Sequence, residues 1–271
     1  MRILFATMEI DPFLKLTSAA QYISKLPQGL QEKGYEIRIL MPKFGVINER
    51  RNRLHEVVRL SGINIRVDNL ERPLTIKVAT IPNARLQVYF LDNEDYFKRR
   101  AALADKKGKF FEDNDERAIF FGKGVLETVK KLGWAPDVIH CHGWMTSLIP
   151  LYLETFYRED PTFATASSVY TMYEHPVDFE MKGSIAEKGK IEGMPEDAFK
   201  HYEGDSFVNF ALGGVHHADY ATRGHQKLTD EVEKSLEEAG KSLEFDQNGG
   251  SLQAYIDFYD DIYQNKLPNK G

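Results

Sequence analysis

Arg2-Ile-Leu-Phe-Ala-Thr-Met-Glu-Ile-Asp-Pro-Phe-Leu-Lys15, followed further on by Glu36-Ile-Arg-Ile-Leu-Met-Pro-Lys43, decides the fold of this chain. Residues 2–7 form a short, mostly apolar run, which predicts a strand covered on both faces. Past the loop that holds Pro12 and Lys15, Ala19, Ile23, Leu26 and Leu30 recur at spacings of four, three and four, one face of a helix. Gly34 offers that helix a C-terminal stop, and residues 36–41 read as the next strand. Strand, loop, helix, strand is a βαβ unit. Ligands of such sheets sit beyond the carboxyl ends of the strands, which is where Lys15 falls. Taken alone, Lys15 reads as a solvated loop lysine.

Working outward, residues 57–60, 63–67, 74–80 and 86–91 are short, partly alternating runs separated by Gly, Asn and Pro. They predict hairpins inserted in the main sheet or added to its edge. The polar, Lys-rich stretch 93–108 predicts a mobile surface loop. Asp113 is the expected N-cap of a helix, with Glu116 three residues on. Ala118, Phe121, Val125, Thr128 and Leu132 follow on one face of it, to a stop near Gly133. Residues 136–140 predict a buried strand, 146–156 a helix and 168–173 a further strand. Hydrophobic density falls over 174–205, which reads as a long loop with one helical turn. A buried helix is expected over 207–218, a strand over 220–223 and an exposed helix over 229–239, stopped by Gly240. After the polar stretch 246–251, Leu252, Ile256, Tyr259 and Tyr263 share one face of a last helix; their tyrosines, with Tyr255, read by default as core.

This alternation predicts a doubly wound, Rossmann-like parallel α/β sheet with an inserted β-hairpin region. Residues 1–240 form the expected domain, and 241–271 a tail and helix packing back on it.

With 271 residues, 42% hydrophobic and 28% charged, the composition is that of an ordinary globular protein. A formal net charge of −6 argues against a dedicated nucleic-acid binder. The short basic clusters Arg50-Arg51 with Arg53, and Lys98-Arg99-Arg100, read as solvated loop charge. Cys141 is the only cysteine, so no intrachain disulfide forms and nothing signals an oxidising compartment. The first strand leaves no room for a signal peptide, and no apolar run reaches membrane-spanning length. A cytoplasmic protein with neither nucleic-acid nor membrane partner is expected.

His140-Cys141-His142 ends the strand over 136–140. Period-two geometry puts both histidines on one face, with Cα atoms roughly 6–7 Å apart. A metal centre would draw on His216, His217 or His225, but no Cys-x-x-Cys or His-Glu-x-x-His spacing accompanies them. The reading is a core histidine at 140, a cleft histidine at 142 and no metal.

Several of these segments resemble bacterial glycogen and starch synthases, in particular their N-terminal starch synthase catalytic domain. The opening carries the family's order of Glu9, Pro12-Phe13, Lys15, Leu26-Pro27, Gly34 and Met41-Pro42-Lys43. There the lysine begins a Lys-x-Gly-Gly-Leu loop lying against the nucleotide-sugar donor. Here Lys15-Leu16-Thr17-Ser18-Ala19 keeps the lysine and loses both glycines, which let backbone N–H groups approach a phosphate. Trp134-Ala-Pro-Asp-Val-Ile-His-Cys-His-Gly-Trp144 is similar to the family's Trp-x-Pro-Asp-Val-x-His-x-His-Asp-Trp, departing at Gly143. The resemblance makes His142 a contact of the donor sugar. Asp113-Asn114 with Arg117 resembles another family segment and makes Asp113 a cleft residue, a role compatible with capping. Residues 88–92 with Tyr96-Phe97 resemble the segment before it. Leu103 stands where the family has a glucan-side tyrosine, and Tyr173-Glu174 where it has a His-Asn pair. Residues 209–219 keep the family's framework and lose its lysine.

The resemblance implies one half of a two-domain glycosyltransferase-B fold. In the family a second α/β domain holds the base and ribose and supplies the cations that stabilise the leaving nucleotide. The expected activity is the acceptor-side half of a retaining transfer of glucose from ADP-glucose or UDP-glucose to an α-1,4-glucan, with no cofactor. Lys15, Thr17 and Ser18 would bind the donor, and Asp113 and His142 would be catalytic. A second polypeptide or a homodimer would supply the missing half, and the final helix would be the one that crosses back over the first domain. The alternative is a non-catalytic glucan-binding or regulatory partner in glycogen synthesis. A metal-dependent hydrolase built on the histidines is a weaker contrast.

Overall fold

The computed structural model describes residues 1–82, 84–173, 184–204, 206–224, 228–239, 242–243 and 251–266. Strand β1 (Arg2–Thr7), helix α1 (Ala19–Glu32) and strand β2 (Glu36–Pro42) form the βαβ unit, with Ile3 to Ala6 fully buried and β1 parallel to β2. Strands β3 (His55–Glu56), β4 (Ile63–Val67), β5 (Leu70–Thr80) and β6 (Gln87–Asp92) follow, then the short helix α2 (Glu94–Phe97). Next come α3 (Asn114–Leu132), β7 (Val138–His142), α4 (Leu148–Thr155), β8 (Ser167–Met172) and α5 (Ile185–Gly189). The described chain closes with α6 (Phe207–His217), β9 (Tyr220–Arg223), α7 (Asp230–Ala239), β10 (Ser242–Leu243) and α8 (Leu252–Lys266).

The sheet runs β10-β9-β8-β7-β1-β2-β6-β5-β3, with β4 paired to β5. From β10 to β6 every pairing is parallel, while β5 runs antiparallel to β6, β3 and β4. Chain order reverses between β1 and β7, so the topological switch point lies at their carboxyl ends. Thr7 and His142 pair in register there.

The hairpin region departs from its expectation in two ways. β6 is a strand of the parallel sheet itself, paired to β2, and the antiparallel addition consists of β3, β4 and β5. Residues 57–60 turn instead of extending, because Leu60 N–H closes on Val57 C=O at 2.9 Å and Val58 stays 77% exposed.

The stretch 93–108 is not a free surface loop. Asn93 caps α2 by accepting from Asp95 and Tyr96 N–H, and Tyr96, Phe97 and Leu103 are buried. These apolar anchors suffice to hold a Lys-rich segment down. Arg99, expected as solvated charge, is committed to Asp113.

Helix α3 ends as expected at Gly133, with φ 62. Its start differs, since Asp113 makes no side-chain cap and Glu116 accepts from Tyr96 Oη instead of closing a capping box. Helix α7 is amphipathic, burying Val232 and Leu236. Stretch 184–204 holds α5 and a single 3₁₀ turn, Lys200–Tyr202. The buried face of α8 is Tyr255, Phe258, Tyr259 and Ile262, rotated from the expected one, and Tyr263 is exposed. That face meets α1 and the end of β7: Tyr255 packs on Tyr22, Tyr259 hydrogen-bonds His140, and Tyr35 Oη donates to Asp260 at 2.8 Å. Expectations at Glu174, His225, Gly240 and residues 246–250 lie outside the described residues.

Candidate functional site

At the switch point β1 runs into the loop 8–18, and Glu9 folds back over it. Its Oε2 accepts Leu16 N–H at 2.6 Å and Thr17 N–H at 2.8 Å, while Oε1 accepts the Thr17 hydroxyl at 2.6 Å. Glu9 is 3% exposed. Thr17 Oγ1 also accepts Ala19 N–H at 3.1 Å and so caps α1, whereas Ser18 makes no side-chain cap. The loop's first two amides after Lys15 therefore point at an internal carboxylate. Lys15 extends outward to Asp11 at 2.9 Å with a half-exposed side chain, a pair worth about 1 kcal/mol or less.

His140 is completely buried, with Nε2 2.6 Å from Thr171 Oγ1 and Nδ1 2.6 Å from Tyr259 Oη. Burial, and then the neighbouring His142, hold its pKa well below the ordinary histidine value. It is the satisfied core histidine expected. His142 is different from the expected cleft residue, being only 1% exposed. Its ring lies 4.0 Å from that of His140 and stacks on Phe5 at 5.7 Å. Nδ1 is 2.9 Å from Tyr173 Oη, and Nε2 is buried with no partner among the described residues. Burial pushes its pKa down to about 3, so the imidazole is neutral at physiological pH.

His142 borders a cavity of about 20 Å³ shared with Thr7, Glu9, Thr17, Trp144 and Tyr173. That is room for about one water. Tyr173 is pressed flat onto Gly224, where an added Cβ would come within 2.2 Å of its ring. Burial, with Tyr255 and Glu9 nearby, raises its phenol well above the ordinary value. Gly143 sits at φ 80, a left-handed conformation in which an aspartate, the residue of the resembling family, would be strained.

Asp113 faces elsewhere. Arg99 grips it in bidentate fashion, Nη1 to Oδ1 at 2.9 Å and Nη2 to Oδ2, and stacks on Phe111. Below it Arg117 is fully buried against Phe44, Phe97 and Phe111, its Nη1 donating to Asn114 Oδ1 at 2.7 Å. Burial, then Arg99, brings its pKa down to about 9.

The structure thus brings Thr17 and His142 to one cavity, leaves Lys15 and Ser18 on the loop beside it, and engages Asp113 with arginine. Sequence reasoning missed the roles of Glu9, Thr7 and Tyr173. Glu9 carried a signal, a lone acid between a buried strand and a helix start. His216 and His217 lie far along α6 beside His201, and among the described residues no group of three or more His, Cys, Asp or Glu is placed to hold a metal.

A mostly parallel doubly wound sheet flanked by helices, with its switch point at the carboxyl ends of β1 and β7, is the architecture of a glycosyltransferase-B-type α/β domain. Its fold matches the catalytic domain of starch synthase IV from Arabidopsis thaliana bound to ADP and acarbose, with TM-score 0.69 at 20% identity, over 96% of this chain and 50% of that one. The chain belongs to the starch synthase catalytic domain family, whose model matches residues 2–245. It is 37% identical over 233 residues to the glycogen synthase of Chlorobium limicola, covering 85% of this chain and 47% of that protein. Against the glycogen synthase of Chlorobaculum tepidum it is 38% identical over 243 residues, with 87% and 49% covered. The chain spans about half the length of the curated relatives it matches. Among the described residues no helix is long and apolar enough to cross a membrane.

Proposed function

We propose that this domain serves α-glucan synthesis from the acceptor side, holding a glycogen-like chain. Transfer of glucose from ADP-glucose or UDP-glucose then requires groups beyond the described residues, from a second α/β domain on this or another polypeptide, or from a second copy of the chain. The observation that carries this reading is the small volume of the pocket at His142. Small-molecule sites typically offer about 300–1,000 Å³, and about 20 Å³ cannot admit a hexose ring. Among the described residues no lysine or arginine lines it, so the charge developing on a leaving nucleotide would go unmet there. When a donor is bound, Lys15 is the cation free to leave its surface partner for the donor phosphates, with Thr17 and Ser18 alongside. His142 would offer Nε2 to a sugar hydroxyl only once the loop held by Glu9 has moved off the pocket, and Asp113 would belong to the polar wall of the cleft. The nucleotide sugar is a substrate, and the reaction draws on no cofactor. With one buried thiol and family ties to glycogen synthases, the cytoplasm is its proposed place.

A second reading, a non-catalytic glucan-binding or regulatory partner, is favoured by the same small pocket and by Glu9 occupying the loop amides. The two separate in one assay, transfer of labelled glucose from ADP-glucose to glycogen by the purified chain, with Lys15→Ala beside it. Incorporation that the mutant loses means that this chain or its oligomer completes the site. No incorporation, with glycogen still retarding the protein on a native gel, leaves glucan binding as the activity of this chain by itself, and transfer restored by adding a second-domain polypeptide then favours the first reading over the second. Neither incorporation nor retardation defeats both.

A further inference from the structure

A second cavity, of about 580 Å³, is walled by β4 and its turn into β5, by α3, by α5 and by the residues that follow α4 and α5. It shares no lining residue with the pocket at His142. Lys123 lines it from the middle of α3, 5% exposed. Its Nζ donates to Arg66 C=O at 2.8 Å and faces the Tyr152 ring at 5.7 Å. An ammonium carries three donors, and among the described residues no carboxylate stands within ion-pair distance of this one. A buried charge without a counter-charge is costly, and proteins normally supply one. The Arg66 side chain, whose proximity after burial helps to lower Lys123 to about 8, brings a second positive charge. Among the described residues it too lacks a carboxylate partner, its Nε donating to Asp68 C=O. Lys190 lines the same concavity, as do Asp68, Glu127, Glu187 and Glu192, yet among the described residues none of these acids is ion-paired to Lys123 or Arg66.

We propose that this groove binds a phosphate monoester of a small polyhydroxylated molecule, the phosphate seated between Lys123 Nζ and the Arg66 guanidinium. Two cations match a dianion better than a carboxylate, and the guanidinium fork suits phosphate oxygens. The rest of the lining describes the ligand's body. The lining acids Asp68, Glu187 and Glu192 repel a second anionic group and accept from hydroxyls, as Asn69 also does, while Glu127 is already engaged by Tyr157 Oη and Lys130. Phe156, 41% exposed, offers a ring face to the apolar side of a sugar or polyol. The volume suits a small metabolite. This site is independent of the proposed transfer function, and neither stands or falls with the other.

The test is titration calorimetry of the intact chain at constant ionic strength with ribose 5-phosphate, glycerol 3-phosphate, inorganic phosphate and unphosphorylated ribose. One site is expected for the two monoesters, with Kd raised at least tenfold in Arg66→Gln and in Lys123→Met, and no binding of ribose. Arg66 is exposed, so its variant carries the test if melting curves show that Lys123→Met does not fold. As a second readout, ribose 5-phosphate should slow acetylation of Lys123 by acetic anhydride, measured by mass spectrometry. Equal affinity for inorganic phosphate would overturn the polyhydroxylated body. Undiminished binding in Arg66→Gln, or no binding and no protection, would overturn the site.

Discussion

Glu9 and His142 meet at the same small cavity. The Glu9 carboxylate is held by two amides and a hydroxyl of the loop that follows, so the loop closes on its own anion. His142 stays neutral because burial disfavours its charged form. Its folded pKa, about 3, lies below the ordinary histidine value of 6.5. The unfolded chain therefore takes up a proton first as pH falls through 6.5, and the folded state only near 3. Stability is complete above about 6.5 and declines towards pH 3, by about 1.4 kcal/mol per histidine for each unit. His140, shifted in the same direction, adds to the slope. Urea midpoints at pH 7.5 and 5.5 should show this loss, and His142→Gln should lessen it. An unchanged slope in that variant would mean that His142 is protonated in the folded protein.

The start of α3 and the docking of α8 show what a helix pattern can and cannot announce. Periodicity places both helices, yet neither the partner of Asp113 nor the buried face of α8 follows from it. Asp113 reads as an N-cap from sequence because it precedes an apolar repeat, but Arg99 lies close enough to take both carboxylate oxygens. The two roles predict different outcomes for Asp113→Asn. As an N-cap asparagine is nearly equivalent, whereas loss of the charge leaves Arg99 and the buried Arg117 without their acid. We expect a loss of about 1 kcal/mol, since the pair is partly exposed, read as a lower urea midpoint. A neutral effect would restore the capping role. On α8, Leu252 and Ile256 were expected on the buried face and are partly buried against the core, Leu252 over Gly29 of α1, but the most buried part of the surface it meets is aromatic and polar, Tyr22 of α1 and His140 of β7. Tyr255 and Tyr259 turn to it, because a tyrosine contributes both ring contact and a hydroxyl partner.

Across the whole molecule, stability should be graded outward from the switch point. β1 and β7 are hydrogen-bonded on both sides and buried almost throughout, while β3 pairs two residues at the antiparallel edge. Amide exchange should be slowest at Ile3 to Ala6 and Val138 to Cys141, and fast at His55 and Glu56, measured by native-state hydrogen exchange. Equal protection at the two places would contradict this grading.

The parallel sheet, its βαβ opening, α3 with its glycine stop at Gly133, and the shared face of His140 and His142 were all legible in the sequence. Each depends on spacing within one segment, a period near two or 3.6 that a side chain imposes on its own backbone. The state of the site was not legible. Tyr259 reaches His140 across 119 residues of chain, and Tyr173 reaches His142 across 31. Glu9 becomes the loop's internal anion only once the loop has turned back on it. Burial, protonation and the volume left for a ligand depend on groups brought together from distant segments, so the tertiary structure alone decided them.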